Sequence, residues 1–288
     1  MKKNYSFSIS DTITNFLSRP VRYVSLGILL ISVLFPLYWL AVSSVKVQLD
    51  YLKFPPVFIP TRVTGQNYAD IFQKYGAWNG LVNTFVIAMV TAVICVFFGS
   101  MAAYAIAKGS LSRKLRNVFG LWFMIQKMYP AISTAIPVYV VMRHLGLMDT
   151  KAALIIMNVS FNLPLIVWLM IGFFQEVPKE IEQSGEIDGC NMWQRFILLA
   201  VPITKPGLIA SAILTLVAAW NEFLFATILS VNRAKTLSVA IAGFISDRGL
   251  EWGPMAAMAV LLIIPPAIVV WMLQKNFVAG LAMGSVKE

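Results

Sequence analysis

The residues able to do chemistry in this chain are few, and most of them lie in one run, Glu180-Ile181-Glu182-Gln183-Ser184-Gly185-Glu186-Ile187-Asp188-Gly189-Cys190. Carboxylates, an amide and a hydroxyl packed this closely offer docking chemistry, hydrogen bonds and charge for a partner. A second group, Lys127, Asn158, Asn162, Asn221 and Glu222, stands in apolar surroundings, with Tyr129 beside the first of them. Catalysis is poorly served. No nucleophile, base and metal constellation is present, the single histidine His144 has no cysteine or histidine cluster around it, and no G-x-x-x-x-G-K-[ST] phosphate loop occurs. The chain is therefore expected to be no enzyme and to hold no metal.

These groups must be held by a membrane scaffold. Hydrophobic residues make up 59% of the 288 positions and charged ones 12%, and the mean hydropathy is +0.76. Apolar runs of about 20 residues are each long enough for a hydrocarbon core of roughly 30 Å. The net charge of +10 does not read as nucleic-acid binding, because the basic residues are scattered at the flanks of the apolar runs. Cys95 sits in an apolar run and Cys190 in the polar one, a separation that argues against a disulfide.

Hydropathy predicts an all-α polytopic protein with six spans, at about 21–45, 80–107, 116–145, 152–175, 206–231 and 254–276. A β-barrel would show ten-residue alternation instead. The first run is too long for a signal-peptide core and no small-residue cleavage site follows it, so it reads as a retained anchor. Lysines and arginines favour the side that holds Lys2, Lys3, Arg19, Lys108, Arg113, Lys114, Arg116, Lys179 and Lys205, which predicts both termini in the cytoplasm. The expected organisation is an N-terminal arm over 1–20, a six-span domain over 21–277 with a loop at 176–205, and a tail over 278–288. On the outer side, Pro55, Pro56 and Pro60 predict an extended segment and Asn67 to Phe72 a short amphipathic helix; the outer loop 232–253 is also polar.

The inner loop reads as two short helices joined by a sharp turn. Pro178 suits a helix start, Glu180 and Glu182 suit its positive end, and Gly189 supplies a residue free to take positive φ before a second helix over 193–199. Pro202 and Pro206 punctuate the return to the membrane.

The run 177–190, followed by Trp193-Gln194-Arg195-Phe196 and Pro202-Ile203-Thr204-Lys205-Pro206, resembles the "EAA" loop of ABC-importer permeases. It is most similar to the sugar-uptake branch, in the manner of the smaller maltose-type permease subunit. Asn83-Thr84-Phe85, Gly99-Ser100-Met101-Ala102-Ala103-Tyr104-Ala105, Ile136-Pro137-Val138-Tyr139, Trp220-Asn221-Glu222-Phe223 and the ending from Gly280 extend the resemblance over nearly the whole chain. It implies the type I importer permease fold, with the loop as a coupling helix seated in a groove of a cytoplasmic ATPase. Carried over by position, the ATPase-coupling set is Glu180, Glu182, Gln183, Ser184, Gly185, Glu186, Asp188, Gly189, Met192, Arg195 and Phe196. The family's Glu-Ala-Ala reads Gln183-Ser184-Gly185 here, so a charged contact becomes a neutral hydrogen bond or is lost, with Glu182 or Glu186 as substitutes. The resemblance further implies an ABC ATPase dimer carrying ATP and Mg, a second homologous permease subunit, a periplasmic or extracellular solute-binding protein, a carbohydrate substrate and a bacterial inner-membrane location. No cofactor is expected on this chain.

Polar groups at membrane depth face a passage or a neighbouring helix. Lys127 lies eleven residues beyond Arg116, about 16 Å of helix, which puts it near mid-bilayer. Facing a passage it would favour an anionic solute, such as a uronate oligosaccharide; the other option is a buried pair with Glu222 or with a backbone carbonyl. Asn158 and Asn162, four apart, share a helix face and suit either sugar hydroxyls or a neighbouring helix. An ion-coupled secondary transporter using Lys127 and Glu222 is the alternative, weakened by the lack of an internal repeat.

Overall fold

A computed structural model describes residues 9–246 and 249–283, with side-chain surroundings for 20–245 and 251–273. The first eight residues of the expected arm, the last five of the expected tail and Arg248 lie outside the described residues. Helices dominate: α1 Ile9–Ser44, α2 Gln66–Gln73, α3 Ala77–Lys108, α4 Arg113–Met128, α5 Ala135–His144, α6 Lys151–Glu176, α7 Lys179–Ile187, α8 Met192–Arg195, α9 Val201–Ile203, α10 Lys205–Trp220, α11 Leu224–Leu229, α12 Leu237–Ala242 and α13 Trp252–Met283. The described strands are a two-residue antiparallel pair, β1 Ile245–Ser246 on β2 Gly249–Leu250, with Ile245 opposite Leu250. α1 begins inside the expected arm and α13 continues into the expected tail.

The centre of the bundle is α3 against α6, with α4 and α10 packed on them. In lipid, helices associate through close packing rather than water exclusion, so small residues mark the contact. Gly99 is one: a Cβ there would lie 2.9 Å from Ile166 Cγ2. Ala103 and Ala107 continue that stripe, and Tyr104, Met170, Phe174 and Phe196 fill the core at the α7 end. α10 approaches α6 at Gly207, where a Cβ would meet the Phe173 ring at 2.5 Å. α1 stands apart. Its apolar window has no buried residue and its packing partner among the spans is α13.

The expected count of six spans is not confirmed by continuous helices. Among the described residues, Pro20–Ser44, Ala77–Lys108, Lys151–Glu176 and Trp252–Leu273 are long and apolar enough to cross a membrane. A fifth follows if Met192–Ile203 and Lys205–Trp220, bent by 82° at Thr204, count as one. The expected span 116–145 is broken because Pro130 holds Tyr129 in extended backbone (ψ 126°), which ends α4 before a short 3-10 turn leads into α5. The expected span 206–231 is broken at Asn221–Phe223, between α10 and α11.

Candidate functional site

The polar run folds as an elbow across one end of the bundle. α7 starts after Pro178, as Pro at a helix entrance should, and carries Glu180 and Glu182 in its first turn. It ends in a glycine cap: Gly189 has φ 79°, its N–H donates to the Glu186 carbonyl at 3.0 Å, and the Cys190 N–H donates to the Gly185 carbonyl at 2.9 Å. Asn191 then opens α8 with a capping box, its side chain accepting from the Gln194 N–H while the Gln194 side chain accepts from the Asn191 N–H, both at 2.9 Å. Pro202 cannot donate and its ring crowds the carbonyl four residues back, and the chain widens into a π-turn over Phe196–Ala200 just before it. The second short helix of the sequence thus becomes a longer run, 192–203, ending at the 82° bend into α10.

The elbow is pinned to the bundle on its inner face. Glu182 is buried, and one of its oxygens accepts the Tyr104 hydroxyl of α3 at 2.9 Å. Lys108 donates to the Val177 carbonyl at 2.7 Å, tying the end of α3 to the α6–α7 joint. Glu186 pairs with Arg195 across the two short helices. Gly185 lets those helices meet: a Cβ there would come within 2.7 Å of Leu199 Cδ1 and 3.2 Å of Arg195 Cγ. Phe196 is buried against Tyr104 and Phe174, whereas Met192 is exposed. Glu182 and Glu186, weighed as substitutes for the missing family glutamate, are both engaged inside the chain. What remains outward on α7 is the stripe Glu180, Gln183, Ser184 and Ile187, followed by Asp188, with Ile187 86% exposed.

The mid-span candidates fall into two groups. Asn158 and Asn162 are buried in α6, their amides donating to the Leu154 and Asn158 carbonyls at 2.9 and 2.8 Å. The others converge near the breaks. Lys127 is exposed and donates to the Phe161 carbonyl of α6 at 3.1 Å; the Phe161 ring packs on Phe225 with centroids 5.1 Å apart; and Glu222 accepts the Phe225 and Ala226 N–H groups at 2.7 and 3.0 Å. Glu222 is thus the cap of α11, and Lys127 takes a backbone carbonyl, so the two flank a phenylalanine pair rather than forming a relay. Tyr129 and Asn221 are exposed on the same breaks, Asn221 donating to the Val217 carbonyl at 2.9 Å.

One structural residue escaped the sequence. Asp149, at φ 55° between α5 and α6, accepts N–H groups from four consecutive residues, Val231, Asn232, Arg233 and Ala234, at 2.9–3.2 Å. Asn83 grips the same loop from α3, donating to the Arg233 and Lys235 carbonyls at 2.9 Å, and Thr84 accepts the Leu237 N–H at 2.9 Å. Burial pushes the Asp149 carboxyl up, but the N–H donors of Arg233, Val231, Ala234 and Asn232 outweigh it and hold it at about 2. The sequence offered only an acid between two spans, of a residue type that tolerates the left-handed backbone seen here.

Residues 95–282, which include the elbow, both span breaks and Asp149, match the family described as binding-protein-dependent transport system inner membrane component. The chain belongs to that family. This permease is 38% identical over 232 residues to the trehalose transport system permease protein SugB of Mycobacterium tuberculosis, covering 80% of this chain and 84% of that one. It is 30% identical over 273 residues to the sulfoquinovosyl glycerol transport system permease protein SmoH of Agrobacterium fabrum, covering 94% and 95%. A solved bacterial ABC transporter involved in the import of the acidic polysaccharide alginate contains a chain of the same fold, at TM-score 0.77 and 25% identity over 94% of this permease and 99% of that chain. The permease is a multi-pass membrane protein of the carbohydrate-uptake ABC importers, with the type I importer fold.

Proposed function

We propose that this permease forms one membrane half of an ATP-driven importer for an acidic oligosaccharide, its elbow seated in a cytoplasmic ATPase. The observation that carries the coupling half is the arrangement of α7. Its inner face is tied to α3, α6 and α8, and its outer face offers an apolar knob, Ile187, flanked by Glu180, Gln183, Ser184 and Asp188. The neutral Gln183 asks its partner for an amide-type hydrogen bond, and Ile187 asks for an apolar recess. Closure of an ATPase dimer that grips this face moves α7 and, through the Tyr104–Glu182 and Lys108–Val177 links, pulls on the ends of α3 and α6. ATP and Mg belong to that partner dimer; a second homologous permease completes the passage, and a solute-binding protein loads it from the side opposite the elbow. Both termini then lie in the cytoplasm of the bacterium.

The acidic substrate rests on Lys127, exposed beside the broken spans with Tyr129 and Asn221, and on the likeness to the alginate importer. A fixed ammonium in a low-dielectric passage favours an anion. Two breaks, each next to a residue that touches Phe161, give the irregular backbone that membrane proteins tolerate where a cavity is lined. The test is ATP hydrolysis in proteoliposomes by the full complex, with the cognate binding protein and a panel of neutral and uronic oligosaccharides. Stimulation by a uronic oligomer, lost in Gly189→Pro and shifted toward neutral sugars in Lys127→Met, supports the assignment. Stimulation by neutral sugars alone, equal in the parent and in Lys127→Met, overturns the acidic substrate; uptake driven by an ion gradient without ATP overturns the importer.

A further inference from the structure

At the end opposite the elbow, the segment after α1 folds back and turns one lysine inward. The Asn67 amide of α2 donates to the Ser44 and Lys46 carbonyls at 2.9 and 3.0 Å, and the Thr64 N–H donates to the Val45 carbonyl at 2.9 Å. The Phe58 carbonyl accepts the Tyr38 hydroxyl at 2.9 Å, and the Phe58 ring meets Trp39 edge-on with centroids 5.4 Å apart. Lys46, held between these contacts, is 1% exposed, with its Nζ 3.9 Å from the centroid of the Trp39 ring. An ammonium carries three N–H donors, and a ring meets only one face of it. Among the described residues no oxygen accepts from Lys46 Nζ; the acid nearby, Asp50, is bonded to Lys53 at 2.7 Å. Unlike Asp50 Oδ2, which is sealed, this ammonium can still be touched by a water-sized group. Lys46 stands in the wall between two cavities. One, of about 560 Å³, lies between the ends of α1 and α13 and is walled by Pro36, Trp39, Leu40, Trp252, Met255 and Ala259. The other, of about 490 Å³, is polar, with Gln48, Thr64 and Gln66 in its walls.

We propose that these joined cavities hold a phospholipid of the leaflet opposite the elbow, its phosphate accepting from Lys46 and an acyl chain lying between α1 and α13. The phosphate follows from the donor: a buried, accessible ammonium with no acceptor of its own calls for an anionic oxygen. The chain follows from the walls and the depth. Pro36 to Ser43 form the last two turns of the span Pro20–Ser44, and Trp252 to Ala259 the first two turns of the span Trp252–Leu273. The larger cavity therefore lies where phosphates give way to methylenes, and Trp39 and Trp252 are the side chains that boundary favours. A sugar fits less well, because the polar groups of the larger cavity are bonded within the chain, the Tyr51 hydroxyl to the Ser43 carbonyl and Asp50 to Lys53.

The test uses the full chain in the complex it is purified with, stripped of lipid in detergent and titrated with phosphatidylglycerol whose acyl chains carry bromine, a quencher of tryptophan fluorescence. Quenching is expected to contain a saturable part that shrinks in Trp252→Phe, since Trp252 lines the cavity. Diacylglycerol with the same chains lacks the phosphate and is expected to bind at least about tenfold more weakly, as loss of one hydrogen bond to a charged group implies. Lys46→Met, which keeps an apolar stem over Trp39, is expected to weaken phosphatidylglycerol by a similar factor. Lys74→Met, on an exposed lysine of α2 outside both cavities, leaves it unchanged. Equal affinity for diacylglycerol, no difference between the two lysine variants, or saturable quenching undiminished in Trp252→Phe overturns the proposal. Inorganic phosphate that raises the Tm of the parent but not of Lys46→Met, with no saturable quenching by the lipid, overturns the lipid source in favour of free phosphate. The comparison of the two lipids on the parent decides the matter even if Lys46→Met does not fold.

Discussion

The two ends of the permease are built from the same kinds of polar residue and finished to different degrees. At the end opposite the elbow, Asp149, Asn83 and Thr84 take up the N–H and carbonyl groups of the loop 231–237 one after another. At the elbow, Glu182, Arg195 and Arg116 each keep a buried atom without a partner, and Ile187 stands almost fully exposed. Paired backbone groups hold a loop in one arrangement, whereas an exposed apolar side chain is free to meet another surface. The loop 231–237 is therefore held by its own chain, Thr236 Oγ1 aside, whereas α7 keeps an outward face free.

The sharpest way to break this contrast is to open the closed corner. Asp149→Ala removes the acceptor of four backbone N–H groups and puts a residue with no side-chain acceptor at φ 55°. The expected loss is about 3 kcal/mol, read as a lower Tm of the detergent-solubilised complex. Asp149→Asn, which keeps an oxygen and tolerates the same backbone, should lose about half as much. Equal losses in the two variants would mean that the oxygen and the backbone tolerance kept by Asn contribute nothing and that the charge carries the whole effect. At the elbow the converse is expected. Ile187→Asp should leave the Tm of the permease without its ATPase unchanged, because the side chain touches solvent, and should weaken ATPase association by about tenfold or more, as removal of an apolar anchor does. A falling Tm with association intact would reverse the assignment of that face.

How much of this was legible depends on whether the partners are close in sequence. Pro178, the acids of the first turn and Gly189 act within a few residues of one another, so the elbow is legible from its own residue order. The Tyr129–Pro130 break has a local cause too, since a proline restricts the residue before it, although hydropathy ran the expected span 116–145 through it. The grip of Asp149 was not, because its donors are backbone N–H groups 82 to 85 positions away and carry no side-chain signature. Lys127 taught the same lesson: its carbonyl partner at Phe161 is invisible in a sequence, while Glu222, the charged residue that invited pairing, is used locally to start α11. The engagement of Glu182 by Tyr104, from a different helix, was likewise beyond local reasoning.

Within the elbow itself the Glu186–Arg195 pair offers a smaller test. Glu186 is exposed, so Glu186→Gln should lower stability by no more than about 0.5 kcal/mol. Its effect belongs to geometry, since the pair and Gly185 together set how α7 meets α8. A double-mutant cycle with Arg195→Gln on Tm against ATPase coupling separates the two: weak coupling energy in stability, stronger in coupling, is the expected result.

Acid offers the mildest probe, and it acts on the closed corner. The Asp149 carboxyl is held at about 2, below the ordinary 3.8, so its contribution is fully present above the ordinary value and is lost as pH falls through 3.8 toward 2. From pH 8 to pH 5 the loop 231–237 should therefore keep constant protection in amide hydrogen exchange. Below about pH 4 the protection of the N–H groups of Val231, Asn232, Arg233 and Ala234 should begin to fall, ahead of that in the core of α3. In Asp149→Asn that acid step should vanish, because no proton can be added at the acceptor. If it persists in the variant, the loosening begins elsewhere and the carboxylate is not the group that closes this corner.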